Sequence, residues 1–528
     1  MSSLLLITLQ AICAPADTAV VCPREWLPTL QPWIELRQEQ GHQLSVITET
    51  GSSERIRQRI RRVAENGKLR YVVLVGDTNT DSEVERLGVP TRLIKATVNV
   101  QWGSEPEIAT DNWYADFDDD RIPDVALGRW TVDTAAELAG VVDKILNYER
   151  RKTVHLGQRR IHFVAGGSGF GLLTDMVLEN TAKRILTAGI PAQYETSMTY
   201  ANWRSPYCPN PIEFQRRVIE QLSDDSFAFV YLGHGHRTFL DAVHTPHGYA
   251  PVLEADALTT LHCKHPLPLT VLLACYAGAF DGPEECLAER MLRHRQGPVA
   301  VIGASRTTMP YGMAVFGTGL LHELFSIQSP KLGDVWLQSK RSMIANTRSG
   351  ERKMLDSLAK TFSPTPNQLD EECREHLDLF NLLGDPLLTM HYPDQMSVET
   401  PRYTQAGQEL EIRGTAPFDG QLLLELVCRR DRLKVKTKHR TEFELTEDSL
   451  RAMNESHQQA NDKRWASQQK DIVTGKFKMV LEVPSDAQGP CHVRAYLFDG
   501  NHQHALGAGN VYIRRPSTAQ RTTTVRSR

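Results

Sequence analysis

A histidine flanked by glycines and a cysteine each follow a short apolar run. The first run, Phe229-Val230-Tyr231-Leu232-Gly233, leads into His234, Gly235 and His236. The second, Thr270-Val271-Leu272-Leu273-Ala274, leads into Cys275, Tyr276, Ala277 and Gly278. A thiol attacks as its thiolate, and a neighbouring imidazole both takes the proton and, once charged, stabilises the anion. If the two runs are adjacent strands, His234 and Cys275 lie side by side at one edge of a sheet. Gly235 lets the backbone approach a substrate closely, and its N–H with that of Cys275 would point at a developing oxyanion. Taken singly, a cysteine after a buried strand is usually a core thiol, and a histidine beside glycine is usually a turn residue. The joint placement carries the functional reading. A competing reading is zinc, because His234, His236, His244 and His247 fall within fourteen residues. Their spacing is not that of a helical His-x-x-x-His pair, and no glutamate completes such a motif.

A second cluster is acidic. Asp116, Asp118, Asp120 and Asp124 occupy positions 1, 3, 5 and 9 of one loop, an alternation of hard oxygen ligands that suits calcium. Arg121 stands where an EF-hand needs glycine and no glutamate follows at position 12, so an exposed loop and a simpler calcium turn both remain open. The run Gly166-Gly167-Ser168-Gly169-Phe170-Gly171 fits neither Gly-x-Ser-x-Gly nor Gly-x-Gly-x-x-Gly and reads as a loop at a strand end. The stretch Ser305 to Tyr311, after another apolar run, reads as a pocket wall or a plain loop.

The elements that position these residues follow from pattern. Apolar runs ending in Gly or Asp, such as Tyr71 to Asp77, Ile161 to Gly167, Phe227 to Gly233, Leu269 to Ala274 and Val299 to Gly303, suit strands buried on both faces of a parallel sheet. Helical patterns at Asp175 to Leu186, Ile212 to Leu222, Cys286 to His294 and Leu332 to Ile344 alternate with them. The expected fold is therefore doubly wound α/β, with function at the carboxyl ends of the strands. Beyond Tyr392 short runs separated by Asp419-Gly420 and Asp499-Gly500 read as a β-sandwich, broken by a charged insertion over 447–470. The expected boundaries are 1–152, 153–393 and 394–515, with a disordered tail over 516–528.

With 528 residues, 41% hydrophobic and 23% charged, the chain is an ordinary multidomain globular protein, neither collagenous nor disordered throughout. A formal charge of −4 excludes a global basic field for nucleic acid or an anionic membrane. Nine cysteines without close pairs show neither a disulfide framework nor a Cys-x-x-Cys metal site. The run Leu4 to Leu9 is too short to span a bilayer and reads as a signal-peptide core or as a first strand, which leaves export open. The chain starts close to a presumed domain, so no long inhibitory prodomain is expected within it.

An apolar block then His-Gly, followed by a second block then Ala-Cys, resembles the caspase-like cysteine peptidases, and more of the chain resembles the gingipain family among them. Thr110 to Asp116, Pro123 to Arg129 and Lys144 to Glu149 are similar to that family's N-terminal subdomain. Leu383-Gly384-Asp385-Pro386-Leu387-Leu388 is similar to the end of its catalytic subdomain. The resemblance implies a caspase-like sheet in two subdomains followed by an immunoglobulin-like β-sandwich, and an endopeptidase acting on proteins or peptides. It implies Cys275 as nucleophile, His234 as its base, and Gly235 and Cys275 as the oxyanion hole. It implies a substrate pocket near Leu232, Leu273 and Tyr311, with Asp175 as a candidate acid for a basic P1 residue. It also implies structural calcium at Asp116, Asp118, Asp120 and Asp124, no cofactor for the chemistry, and a secreted or envelope location. The family pattern places a carboxylate where this chain has Ala165, which leaves two other readings in play: a catalytically weak caspase-like binding or scaffold protein, and a zinc hydrolase.

Overall fold

The structure, a computed structural model, describes residues 15–78, 88–151, 156–167, 189–265, 267–326, 329–345, 349–363, 365–435, 440–500 and 502–515. Ten strands form one central sheet: β1 (Thr18–Val21), β2 (Leu44–Ile47), β3 (Tyr71–Val75), β4 (Ala126–Trp130), β5 (Arg160–Ala165), β6 (Glu195–Tyr200), β7 (Ala228–Leu232), β8 (Leu269–Leu273), β9 (Ala300–Ala304) and β10 (Phe380–Leu383). Their order is β2-β1-β3-β4-β10-β9-β8-β7-β5-β6. The runs that read as apolar on both faces are the central ones: every residue of β3, β8 and β9 is buried.

Both halves of the sheet are internally parallel, and β10 is the seam between them. It runs parallel to β4, with Leu383 opposite Arg129, and antiparallel to β9, with Leu382 opposite Ile302. The two expected subdomains therefore share one continuous sheet, and the strands of the first half run opposite to those of the second. Helices α1 (Leu27–Glu39) and α2 (Ala135–Glu149) cover the first half. Beside the second half lie α3 (Leu287–Arg293), α4 (Pro310–Ser326) and α5 (Leu369–Leu379). Helix α2 starts with a full capping box, Thr134 accepting from the Glu137 N–H while Glu137 reaches back.

Buried charge locks the seam. Asp385, just past β10, accepts from Arg37 at 2.7 Å and from the Trp33 indole, and its other oxygen takes the Leu387 N–H at 2.8 Å. Arg37 also bonds Glu149 at 2.7 Å, so α1, α2 and the β10 turn meet at one guanidinium that is fully buried. Across the seam Arg129 of β4 makes a second buried fork with Asp111, at 2.6 and 2.7 Å.

The C-terminal unit has its own hydrophobic core, running from Met396 to Ile513. Its two sheets are built around strands Glu409–Ala416 and Gly475–Glu482 on one side, and Gly420–Cys428, Arg464–Ile472, Gly489–Phe498 and His504–Arg514 on the other. Burial alternates along Gly475–Glu482, as it must when one face of a strand meets a core and the other meets water. The charged stretch expected as an insertion over 447–470 divides in two. Its first part is helix α6 (Glu447–Asn461); its last part belongs to strand Arg464–Ile472, which pairs with Gly420–Cys428. Helix α6 serves the other unit. Asn461 bonds both the N–H and the C=O of Met198, at 2.7 and 2.9 Å, satisfying the exposed edge of β6. The run Leu4 to Leu9, the helix expected at Asp175 to Leu186 and the tail over 516–528 lie outside the described residues.

Replacing Asp385 by Ala should destabilise the protein by about 3–5 kcal/mol, because it leaves the buried Arg37 charge half-compensated. Urea unfolding of the two proteins checks this, and a loss under about 1 kcal/mol would mean that Glu149 alone is enough.

Candidate active site

Strands β7 and β8 pair in parallel with Leu232 opposite Leu273. His234 and Cys275 each lie two residues further on, so the register alone sets the two chemical groups at neighbouring strand ends. The Gly233 N–H donates to the Leu273 carbonyl at 3.2 Å and extends the pairing up to the histidine. Gly235 then passes so close to the second strand that a Cβ there would lie 2.7 Å from the Ala274 Cβ and 2.9 Å from the Cys275 carbonyl oxygen. Only glycine fits. Bonds on either side of it, from the His236 N–H to the Phe239 carbonyl at 2.8 Å and from the Asp241 N–H to the His234 carbonyl at 3.3 Å, leave the Gly235 N–H itself outside that ladder. Beyond Cys275 the chain turns sharply: Tyr276 has φ 56, a left-handed conformation costing roughly 1–2 kcal/mol for a residue with a side chain. Its phenol donates to Glu105 and its N–H bonds the Arg306 carbonyl at 3.2 Å, which holds the strained turn.

Cys275 differs from every other described cysteine. It is half-buried, while Cys22, Cys208, Cys263, Cys286, Cys373, Cys428 and Cys491 are buried. Burial pushes the thiols of Cys22, Cys208, Cys373 and Cys491 up to about 12 and that of Cys263 up to about 11. The Cys275 sulfur instead accepts the Thr308 N–H at 3.3 Å and lies 3.4 Å from the Thr308 hydroxyl. Thr308 falls inside the Ser305 to Tyr311 stretch, so the sequence pointed to the segment without marking the residue. Behind it the Met309 N–H donates to His376 at 3.0 Å, and burial holds that imidazole down at about 4 and therefore neutral.

Just past the end of β5, next to Ala165, a carboxylate from the histidine loop lies against Gly166. Asp241 follows the histidine by seven residues. Its Oδ1 accepts the Ala242 N–H at 2.7 Å, and its Oδ2 is buried with no hydrogen-bond partner among the described residues. A Cβ built on Gly166 would lie 2.7 Å from that Oδ2 and 2.7 Å from the Tyr231 hydroxyl. The Tyr231 hydroxyl donates to the His234 carbonyl at 2.7 Å, and burial, then the neighbouring Asp241, keeps the phenol protonated. The Asp241 N–H and the Tyr231 hydroxyl thus both fasten the His234 carbonyl. Sequence pattern gave no sign of Asp241, because its place depends on how the loop folds back.

The other expected site residues separate. Leu232 is half-buried, and Leu273 is buried with its side chain against Gly317, so Leu273 is core. The Tyr311 hydroxyl donates to Asp356 at 2.6 Å and accepts from Arg352 at 3.0 Å, and the residue is buried at the start of α4. Asp175 lies outside the described residues. The zinc reading does not hold for the histidines: His244 and His247 sit on an exposed hairpin, His236 stacks on Phe239 at 4.8 Å, and among the described residues the groups able to hold a metal are carboxylates. Asp116, Asp118 and Asp120 form one such group, with ligand atoms within 4.8 Å of one another. Backbone N–H groups already meet these acids: Asp116 accepts from Asp119 and Arg121, and Asp120 accepts from Ile122. Asp124 accepts the Phe117 N–H of the same loop at 2.6 Å and is not one of this group.

A largely parallel α/β sheet with cysteine and histidine at adjacent strand ends, followed by a β-sandwich, is the architecture of the caspase-like, gingipain-type cysteine peptidases. The profile of the family described as Peptidase family C25 matches residues 13–391, and the chain belongs to that family. Gingipain R2 of Porphyromonas gingivalis is 22% identical over 386 residues, which cover 66% of this chain and 47% of that protein. Lys-gingipain of the same organism is 22% identical over 304 residues, covering 55% of this chain and 16% of that one. The chain thus spans about half the length or less of these curated relatives. Among solved structures, that of the Arg-specific cysteine proteinase gingipain R superposes with a TM-score of 0.53 at 15% identity, over 95% of this chain and 98% of that one.

On native protein at neutral pH, iodoacetamide should label Cys275 at least about tenfold faster than any of the seven buried cysteines, and His234→Ala should slow that labelling. Peptide mapping reads both rates. Labelling of Cys275 at the rate of the buried thiols would remove the case for an activated sulfur.

Proposed function

We propose that the protein is a cysteine endopeptidase that uses Cys275 as nucleophile and His234 as its base. The observation that carries this reading is the register of Leu232 opposite Leu273, with a half-exposed thiol that accepts an N–H at one strand end and a braced histidine at the other. Cys275 sulfur attacks the peptide carbonyl carbon, and the carbonyl oxygen gathers charge within reach of the Gly235 and Cys275 N–H groups. The C–N bond breaks as His234 hands its proton to the leaving amine, giving a thioester. Water, deprotonated by His234, then attacks the thioester and returns the thiol. Asp241 is the carboxylate of this arrangement, filling the place vacated at Ala165 and acting through His234 as a positioning residue. A preference for a basic P1 residue is part of the proposal, supported by the Arg-specific relative and by nothing yet described in the pocket. The reading as a catalytically weak scaffold draws on Ala165 alone.

Peptides with Arg or Lys at P1 should be cleaved in preference to others, with Cys275→Ala and His234→Ala both abolishing turnover. Asp241→Asn keeps the shape and removes the charge. It should lower kcat/KM by more than about tenfold and shift its pH profile, and Ala165→Glu in that background should restore part of the loss. A pH profile identical to that of the unsubstituted protein would assign Asp241 a purely architectural part. Absence of turnover by a protein whose Cys275 labels rapidly would favour the scaffold.

We also propose that Asp116, Asp118 and Asp120 hold one calcium ion, their free lone pairs supplying hard oxygen ligands while Arg57 and Arg61 neutralise Asp119 at 2.7 and 3.0 Å. Calcium added back after chelation should raise the melting temperature by several degrees, and less in Asp120→Asn. An identical melt with and without the ion would sink the assignment.

A further inference from the structure

The junction between the catalytic unit and the β-sandwich contains a cleft of about 250 Å³ whose walls carry more positive than negative charge. Six cations line it: Arg159, Arg160, Arg430, Lys463, Arg464 and Arg494. Three carboxylates face them, Glu195, Glu425 and Asp462. Just outside, Asp224 takes part of Arg160 at 2.9 Å, and Lys434 takes part of Asp462, so these two neighbours cancel and the excess of three charges stands. Glu425, almost fully buried, is shared by Arg159, Arg464 and Arg494 at 3.2, 3.5 and 3.0 Å. One carboxylate among three guanidinium groups leaves donors over. The Nε–H groups of Arg159 and Arg494 are both buried without a hydrogen-bond acceptor among the described residues. A buried donor left unmet costs about 1–3 kcal/mol, more when it is charged, and such groups are ordinarily met by something.

Two of these cations are buried deeply enough to lose part of their hold on the proton. Burial, then the neighbouring Arg494, pushes Arg430 down to about 9, and burial pushes Lys463 down to about 8. The guanidinium of Arg430 spends its donors on the backbone carbonyls of Ile190, Pro191 and Tyr194 in the catalytic unit. Positive charge drawn from both units and planar fork donors around a cleft are what an oxyanion of charge two or more requires.

We propose that this cleft binds a small multivalent oxyanion of the phosphate or sulfate type and that the bound anion ties the β-sandwich to the catalytic unit. The groups come from both sides of the junction, Arg159, Arg160 and Glu195 from the start of β5 and β6, and Arg464 and Arg494 from sandwich strands. An anion there bridges positive groups contributed by the two units. Nothing in this depends on the chemistry at Cys275.

The test uses the full chain carrying Cys275→Ala, so that no self-cleavage enters. Inorganic phosphate and, separately, sulfate are titrated by calorimetry and by thermal melting against chloride of equal ionic strength. Saturable binding at one site and a rise of several degrees in melting temperature are expected; a stronger response to phosphate identifies phosphate, and equal responses identify the oxyanion class. Arg464→Gln, at an exposed position that leaves the Arg159–Glu425 and Arg494–Glu425 pairs intact, should weaken binding about tenfold, and Arg160→Gln should do likewise. Arg494→Gln should weaken it further if the protein folds. A response no larger than that to chloride, or binding unchanged in both Arg464→Gln and Arg160→Gln, overturns the proposal.

Discussion

The candidate site hangs on one strand register. Leu232 faces Leu273 across two parallel strands, and a shift of one residue would turn every side chain of β7 to the other face of the sheet. The register is guarded at both ends. Below the site the strands are buried among apolar neighbours; above it Gly235 has no room for a Cβ against Ala274 and Cys275. Given that contact, the strained turn at Tyr276 has a clear use. It swings the chain away after Cys275, so the sulfur stands at the rim beside Thr308 and does not continue into the core.

Rigidity behind the site is polar as well as apolar. His376 stays neutral within the core and receives the Met309 N–H, while its own Nδ1 bonds the Glu372 carbonyl at 2.7 Å. Glu372 in turn accepts the Gly312 N–H at 2.8 Å, and burial raises its carboxyl to about 7. The segment that carries Thr308 is thus fastened to α5 by side chains whose ordinary charge the interior suppresses. Such a network leaves the donor to the Cys275 sulfur little freedom to drift, which is what a preorganised site requires.

Much of this was legible before any coordinates. Long apolar runs with glycine at their ends announce parallel strands because burial on both faces removes the alternation that marks a half-exposed strand, and the pair His234 and Cys275 follows from two such ends. Three features resisted. The seam strand β10 pairs with partners about eighty and about two hundred and fifty positions earlier, and pattern along the chain carries no signal of pairing at that distance. The stretch over 447–470 looks like a surface insertion because its helix is polar on most sides; the helix buries only Met453, His457 and Ala460 and satisfies an edge strand of another unit. Asp241 sits in a loop, where the fold and not local spacing decides what a carboxylate meets. Leu273 and Tyr311, expected beside the pocket, are both buried, and here too closeness in sequence to a strand end does not say which way a side chain points.

The seam has a consequence for the chain as a polymer. The middle of the sheet is completed by residues 380–383, after both halves have been synthesised, and the strand that joins them touches β4 on one side and β9 on the other. The first four strands cannot close their inner edge until nearly four hundred residues exist, which makes the assembled sheet a late and non-local event. The reverse also holds. Once β10 is seated, a break in the backbone at an exposed hairpin such as that carrying Tyr249 would leave two pieces interleaved within one sheet, each supplying strands to the other. A nicked molecule of this kind stays a single body, its continuity carried by pairing and no longer by covalent connection.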